Sequence, residues 1–209
     1  MSVFLASGNA KKIGEMQRIL AEHVADIEVL GIDDIEGYVE PVEDQPTFEG
    51  NALLKARAGV SATGLPSLAD DSGLCVDALN GMPGVLSARW SGPPKSDDRN
   101  NTLLLAQLAD VPDERRGAQF RCAVAFCDPT GAQKVTPGAM PGRVIRELRG
   151  SGGFGYDVLF VPDEQDGDLT TAELPAETKD QISHRGHALR TIAPVVAHLL
   201  KLSGSGSGE

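Results

Sequence analysis

Leu68-Ala69-Asp70-Asp71-Ser72-Gly73 is the stretch around which this sequence is organised, because two adjacent carboxylates stand there between apolar runs. Buried carboxylates need partners. Two like charges roughly 4 Å apart repel by about 4 kcal/mol at an effective dielectric of about 20. A divalent cation would remove that repulsion, and Mg²⁺ binds through one or two carboxylates together with waters and phosphates. The stretch is therefore either a metal and general-base centre or a turn, since Asp, Ser and Gly also favour turns.

Composition limits the classes of partner. A chain of 209 residues is long enough for one domain with a substantial core. The net charge of −11 opposes binding to nucleic acid and to anionic membranes, so a polyanionic ligand would need a local cation. Cys75, Cys122 and Cys127 are odd in number and form no Cys-x-x-Cys pair, which predicts reduced, buried thiols. With neither a signal peptide nor a membrane span in the sequence, we expect a cytoplasmic protein.

The pattern of apolar residues predicts an α/β fold with a mixed sheet. A strand over 2–6 and a Ser7-Gly8-Asn9 turn lead into a helix whose inner face carries Ile13, Met16, Ile19 and Leu20. Further strands are predicted at 26–30, 67–69, 74–78, 118–127, 133–136, 142–147 and 158–161, and further helices at 48–62, 100–108 and 186–202. Residues 173–183 are predicted as a loop. The Gly/Ser composition of residues 203–209 predicts a flexible tail.

Two glycine-containing segments are candidates for ligand binding. The first, Ser7-Gly8-Asn9-Ala10-Lys11-Lys12, joins a strand to a helix, where backbone amides and lysines attract anions. It is neither a Walker A loop nor a dinucleotide fingerprint, and a plain helix cap is the alternative. The second, Ser151–Asp157, contains Phe154, Gly155, Tyr156 and Asp157, which could stack on and bind a nucleobase. The alternative is a flexible turn with two core aromatics.

Other polar residues could complete a site. Lys179, His184 and Arg185 are potential cations within seven residues, and Ser183 can cap the last helix. Glu43 could add a carboxylate to a metal, or it could belong to a solvated acidic loop. Asn51 and Lys55 share one helix face and could orient the site or pair with surface residues. Arg89 could line a cleft.

In this order the motifs resemble the inosine triphosphate pyrophosphatase family of Ham1-like non-canonical purine nucleotide pyrophosphatases. The resemblance covers about residues 3–202. Six short motifs, in this order along the chain, carry the resemblance. They are Ser7-Gly8-Asn9 with Lys12, Thr47-Phe48 with Asn51-Ala52 and Lys55-Ala56, residues 69–74, Ser87-Ala88-Arg89, residues 152–157 and residues 183–186.

The resemblance implies an enzyme that converts ITP, dITP or XTP and water to the monophosphate and pyrophosphate. It implies Mg²⁺ as cofactor, a homodimer, and a single two-lobed domain over 1–202 whose long mixed sheet is flanked by helices, with the active-site cleft between lobes. Asp71 would be the general base, and Asp71, Asp70 and Glu43 would be the metal ligands. The substrate-binding set would be Ser7, Gly8, Asn9, Ala10, Lys11, Lys12, Ser72, Phe154, Gly155, Tyr156, Asp157, Lys179, His184 and Arg185, supported by Asn51, Lys55, Arg89 and Ser183.

Two departures from the family pattern and three alternatives remain. One departure is the acidic, Gly-containing loop from Asp163 to Leu169, onto which no family residue is carried. The family often has Glu-Asn-Ala where this chain has Gly50-Asn51-Ala52, so a supporting carboxylate is missing, and Glu49 or Glu43 could compensate. The alternatives are a Maf-like pyrophosphatase for other nucleotides, a nucleotide sensor without turnover, and a structural domain without a ligand.

Overall fold

The structure is a computed structural model that describes residues 1–205. Its strands are β1 (Ser2–Leu5), β2 (Glu28–Leu30), β3 (Ser67–Val76), β4 (Gly117–Cys127), β5 (Gln133–Val144) and β6 (Phe160–Pro162). Its helices are α1 (Ala10–Ala21), α2 (Phe48–Thr63), α3 (Asp97–Gln107), α4 (Ala176–Ile182) and α5 (His184–Ser205). The first three residues of the predicted tail belong to α5, and residues 206–209 lie outside the described residues.

The strands form one mixed sheet in the order β2-β1-β3-β4-β5-β6, which confirms the predicted α/β class. β1 is parallel to both of its neighbours, with Val3 opposite Val29 and Phe4 opposite Ser67. β5 and β6 are antiparallel, with Arg143 opposite Val161. The chain steps from β1 to β2 and then back past β1 to β3. Because such crossovers are right-handed, α1 and α2 cover opposite faces of this parallel segment.

β3 is continuous through the Asp-Asp-Ser-Gly stretch, so the predicted break between 67–69 and 74–78 is wrong. Nine of its ten residues are buried, as in strands whose two faces are both covered. The first residues pair with β1, Leu68 lying opposite Leu5. The turn propensity of Asp, Ser and Gly is therefore overridden by strand pairing and burial.

β5 is also longer than predicted, because Pro137 and Pro141 lie within it instead of ending it. The amide of Val144 donates to Arg116, on the β4 side, and the amide of Ile145 donates to Leu159, on the β6 side. The backbone nitrogens of odd-numbered β5 residues therefore face β6. β6 pairs with β5 over Gly142–Val144, and the carbonyl of Pro141 still accepts from the amide of Asp163, so Pro141 loses one ladder bond and keeps the other, whereas Pro137 lies beyond the paired residues.

The last third of the chain holds two further differences from prediction. Val158 and Leu159 belong to a 3₁₀ turn, and β6 starts only at Phe160. The helix α4 replaces a predicted loop. Its seven residues bury only Ile182, so the sequence carries no apolar period from which this helix could be predicted.

The chain divides into two compact units. Unit 1 contains Met1–Asp71, Ala123–Pro137 and residues from Ala188 onward, and unit 2 contains Ser72–Cys122 and Gly138–His187. In unit 1, α1 buries Met16, Ile19 and Leu20 as predicted, whereas Ile13 is only half-buried. The core of unit 2 includes Leu74, Val76, Leu104, Leu108, Met140, Val144, Tyr156, Leu159 and Phe160. Within residues 1–205, no helix combines the length and the apolar character needed to span a membrane.

Two helical glycines of unit 1 should respond oppositely to alanine. A Cβ on Gly59 of α2 would lie 2.7 Å from Cδ1 of Phe4 and 2.9 Å from Oγ of Ser67, whereas a Cβ on Gly14 of α1 would meet nothing within 4 Å. We expect Gly14→Ala to raise the free energy of unfolding by about 0.5–1 kcal/mol through helix propensity. We expect Gly59→Ala to lower it by about 1–3 kcal/mol through overpacking. Denaturant unfolding measures both, and stabilisation by both variants would contradict the close packing of α2 on β1.

Candidate active site

Asp70 pairs with a lysine of α1. Nζ of Lys12 lies 2.9 Å from Oδ1 and 3.0 Å from Oδ2 of Asp70. Only 7% of the Asp70 side chain and 23% of the Lys12 side chain are exposed. The first turn of α1 therefore provides the positive charge that a buried carboxylate of β3 requires.

Asp71 has a different kind of partner. Nδ2 of Asn51, a fully buried residue of α2, donates to Oδ2 of Asp71 at 2.9 Å. Oδ1 of Asn51 accepts from the amide of Gln45, which fixes the orientation of the side-chain amide. Consecutive strand residues point to opposite faces, and α1 and α2 lie on opposite faces. This explains why Asp70 meets Lys12 while Asp71 meets Asn51.

The third predicted metal ligand, Glu43, forms an ion pair with Lys55 of α2 at 2.6 Å. Among residues 1–205, no three His, Cys, Asp or Glu side chains form a group that could hold a metal ion. Glu43, Asp70 and Asp71 are thus not gathered into one ligand set. Mg²⁺ still fits the chemistry of this segment, because it needs only one or two carboxylates when phosphate oxygens and waters complete its shell.

Gly50, where a glutamate was expected, has no room for a side chain. A Cβ there would lie 2.8 Å from Cβ of Gln45 and 3.2 Å from Oγ1 of Thr47. The amide of Gly50 instead donates to that Thr47 hydroxyl, which caps α2. Gln45 therefore fills the space of the missing carboxylate, and Glu43 is paired with Lys55.

The segment Ser7–Lys12 forms the helix cap that was its alternative interpretation. Oδ1 of Asn9 accepts from the amides of Lys11 and Lys12, and Oγ of Ser7 accepts from the amide of Asn9. These amides are used within the cap, so attraction for an anion at this helix start falls to the lysine side chains. Gly8 and Ala10 are exposed beside them.

In unit 2, Asp157 anchors the glycine-rich segment. Its Oδ2 accepts from Nζ of Lys179 at 2.6 Å and from the amide of Phe154 at 2.9 Å, and its Oδ1 accepts from Oγ1 of Thr171 at 2.8 Å. Gly153 has a φ of +75°, and a Cβ there would collide with the Asp157 carboxylate. Asp157 is only 5% exposed, and in this structure its carboxylate accepts from internal donors.

The two aromatics of this segment differ sharply in exposure. Phe154 is 66% exposed and Tyr156 is 3% exposed. The hydroxyl of Tyr156 donates to the carbonyl of Ser87 at 2.9 Å, and its ring packs in the core of unit 2. The structure therefore gives Tyr156 a packing position instead of the predicted stacking position. Phe154 presents its ring outward, with Nζ of Lys179 5.8 Å from the ring centroid.

Residues at the start of α5 form the remaining cluster of unit 2. Nη2 of Arg185 donates to Oγ of Ser72 at 3.3 Å. The ring of His184 stacks on Phe120 with centroids 5.4 Å apart. Oγ of Ser183 accepts from the amide of Gly186, so Ser183 caps the last helix as predicted. The three cysteines are free and buried, also as predicted.

Arg89 ends a 3₁₀ helix, Gly84–Arg89, that is fixed to β3. Oγ of Ser87 accepts from the amide of Leu74 and donates to the carbonyl of Gly84. A Cβ on Gly73 would collide with both Gly84 and Ser87. This close approach explains the glycine of the central stretch. Sequence reasoning did not assign Ser87 a site role, nor Thr171 of the Asp157 anchor.

Sequence reasoning also missed two residues of α3. Oδ2 of Asp97 accepts from the amide of Gly155 at 2.6 Å, and Nδ2 of Asn101 donates to the carbonyl of Gly155 at 2.9 Å. The only signal in the sequence is their four-residue spacing, which places both on one helix face.

Comparison with known proteins gives a consistent result. A family model described as Ham1 family matches residues 3–195. The chain is 55% identical to a dITP/XTP pyrophosphatase of Cutibacterium acnes, covering 94% of this chain and 97% of that protein. It is 58% identical to one of Nocardia farcinica, covering 94% and 95%.

Solved structures of related proteins give the same family. A nucleoside-triphosphatase, dITP/XTP pyrophosphatase, of Mycobacterium abscessus matches with a TM-score of 0.78 at 50% identity, covering 93% of this chain and 100% of that chain. A HAM1 protein of Coxiella burnetii matches with a TM-score of 0.86 at 36% identity, covering 95% and 99%.

The burial of Tyr156 predicts an alkaline titration. Burial, and then the charge of Asp97, raises the pKa of Tyr156 above the usual 10.0, and burial also raises the pKa of Tyr38. These are the only two tyrosines. The folded state keeps protons that the unfolded state loses, so stability should fall as pH rises above 10. Ultraviolet absorbance should show no tyrosinate with a midpoint of 10 in the native protein, and Tyr156→Phe should reduce the loss of stability.

Proposed function

This chain belongs to the Ham1 family, and on that basis we propose that it hydrolyses dITP, XTP and ITP to the monophosphate and pyrophosphate. The observation that carries the proposal is the pair of buried carboxylates on β3, one bonded to the Lys12 ammonium and the other to the Asn51 amide. A structural domain would gain little from burying two adjacent charges, because their desolvation costs several kcal/mol each. A hydrolase needs such groups for general-base catalysis and for binding phosphate.

We assign the general-base role to Asp71. The attacking water gives a proton to this carboxylate as its oxygen bonds to the α-phosphorus, and pyrophosphate leaves with the electron pair of the broken P–O bond. Asn51 supports this role because its amide, itself held by Gln45, orients the carboxylate. Lys12 and Lys11 supply charge for the triphosphate, and the ion pair with Asp70 orients the Lys12 ammonium.

Magnesium is part of the proposal. Asp71 would hold Mg²⁺ together with phosphate oxygens of the substrate, whereas Asp70, which was predicted as a second ligand, faces the other side of the sheet and is paired with Lys12. When bound, the ion offsets phosphate charge and lowers the pKa of water. Glu43 enters this ligand set only if its ion pair with Lys55 opens.

The base end of the substrate is assigned to unit 2. The exposed ring of Phe154 offers a stacking surface, and Arg185 and His184 offer donors. Hypoxanthine and xanthine carry a 6-oxo acceptor, whereas adenine carries a 6-amino donor. A donor that faces a donor loses its hydrogen bond on burial, which can give discrimination of about 10⁴-fold against ATP.

We also propose a homodimer that acts on the nucleotide pool of the cytoplasm. Three free, buried thiols are consistent with a reducing compartment. Sedimentation of the purified protein tests the dimer directly, since a single species at monomer mass would exclude it.

The substrate assignment is tested with a panel of nucleotides. We expect turnover of dITP, XTP and ITP with release of pyrophosphate, and turnover of ATP lower by at least about 10²-fold. Chelation of divalent ions should abolish turnover, and added Mg²⁺ should restore it. Equal rates on dTTP and dITP would favour a Maf-like enzyme instead, and full activity in the chelator would remove Mg²⁺ from the proposal.

The general base is tested by Asp71→Asn. Because the amide cannot accept the proton, kcat for dITP should fall by about 10²–10⁴-fold while dITP binding, measured by calorimetry, persists. Asp33→Asn, at an exposed residue of the 3₁₀ helix Ile32–Asp34, is the matched control and should keep its activity. A kcat for Asp71→Asn within twofold of the parent would exclude Asp71 as the base.

A further inference from the structure

We propose that Asp97 and Asn101 of α3 are positioning residues for the purine: they hold Gly155 so that Phe154 faces outward and Tyr156 inward. This inference rests on the proposed function, because it concerns how the base end of the substrate is bound. Neither residue is assigned contact with the substrate.

The side chains of Asp97 and Asn101 hydrogen-bond to the amide and to the carbonyl of the same residue, Gly155. Oδ2 of Asp97 accepts from the amide of Gly155 at 2.6 Å, and Nδ2 of Asn101 donates to the carbonyl of Gly155 at 2.9 Å. Gly155 has a φ of +61°, a left-handed conformation that glycine adopts without steric strain. Both peptide groups that flank this Cα atom are therefore fixed by the same helix.

These two hydrogen bonds are important because Gly155 stands between an exposed aromatic residue and a buried one. Phe154 is 66% exposed, and Tyr156 is 3% exposed with its hydroxyl bonded to Ser87. On the other side, the amide of Phe154 is held by Asp157. Phe154 thus stands between two anchored backbone positions, which fix the direction in which its side chain leaves the backbone.

The state of Asn101 supports a dedicated role. Its side chain is 3% exposed, and among the described residues its Oδ1 is buried without a hydrogen-bond partner. A buried, unpaired carbonyl costs about 1–3 kcal/mol. An apolar residue would avoid that cost, so the residue contributes through its donor to Gly155.

The test is a double-mutant cycle. Asp97→Ala removes the acceptor for the Gly155 amide, and Asp98→Ala removes an equal charge from the same exposed turn of α3 without a bond to Gly155. Each change is made in the parent and in Phe154→Ala. Values of kcat and KM for dITP are measured with Mg²⁺, and thermal unfolding is recorded for every variant. Asn101→Ala is a second variant, which removes the hydrogen bond to the carbonyl of Gly155.

If Asp97 acts through Phe154, Asp97→Ala lowers kcat/KM about tenfold in the parent, mainly through KM, and less than about twofold in Phe154→Ala. Asp98→Ala stays near the parent in both backgrounds, and Asp97→Asn, which keeps an acceptor oxygen, restores most of the loss. An equal loss in both backgrounds, or no loss at all, overturns the inference. An unchanged Phe154→Ala overturns it too, whereas failure of the parent to hydrolyse dITP refutes the proposed function.

Discussion

Two adjacent carboxylates on a buried strand impose the constraint on which this structure depends. Successive residues of β3 face opposite sides of the sheet, so no single partner can neutralise both Asp70 and Asp71. Two helices provide the two partners. α1 brings Lys12 to Asp70 on one face, and α2 brings Asn51 to Asp71 on the other. The crossover order β1-α1-β2-α2-β3 makes that arrangement possible, because it puts the helices on opposite faces.

The difference between the two partners separates the roles of the carboxylates. An ammonium pairs with Asp70, whereas a side-chain amide donates to Asp71 and orients its carboxylate. In unit 2 a third buried carboxylate, Asp157, is used differently again, because its oxygens accept from Lys179, Phe154 and Thr171. Its function is to fix the backbone beside an exposed aromatic ring. The three aspartates are similarly buried, but each is hydrogen-bonded to a different set of groups.

Local signals in the sequence predicted part of this well. The period of Met16, Ile19 and Leu20 predicted the inner face of α1, and Ser183 before Gly186 predicted the cap of α5. The prediction failed where pairing overrides propensity. The sequence predicted two strands, 133–136 and 142–147, where the structure has the single strand β5; Pro137 lies beyond the residues that pair with β6, and the carbonyl of Pro141 still accepts from the amide of Asp163. α4 buries a single residue and so has no period to detect.

The sequence by itself determined the family, the α/β class and the identity of the groups that could do chemistry, because those depend on residue types and their order along the chain. Only the tertiary structure decided which donor each carboxylate meets, that Tyr156 belongs to the core while Phe154 is exposed, and that α3 holds Gly155 between them. The reason is that hydrogen bonds and burial join residues far apart in the chain: Lys12 with Asp70, Asn51 with Asp71, and Asn101 with Gly155. No local pattern encodes those partners.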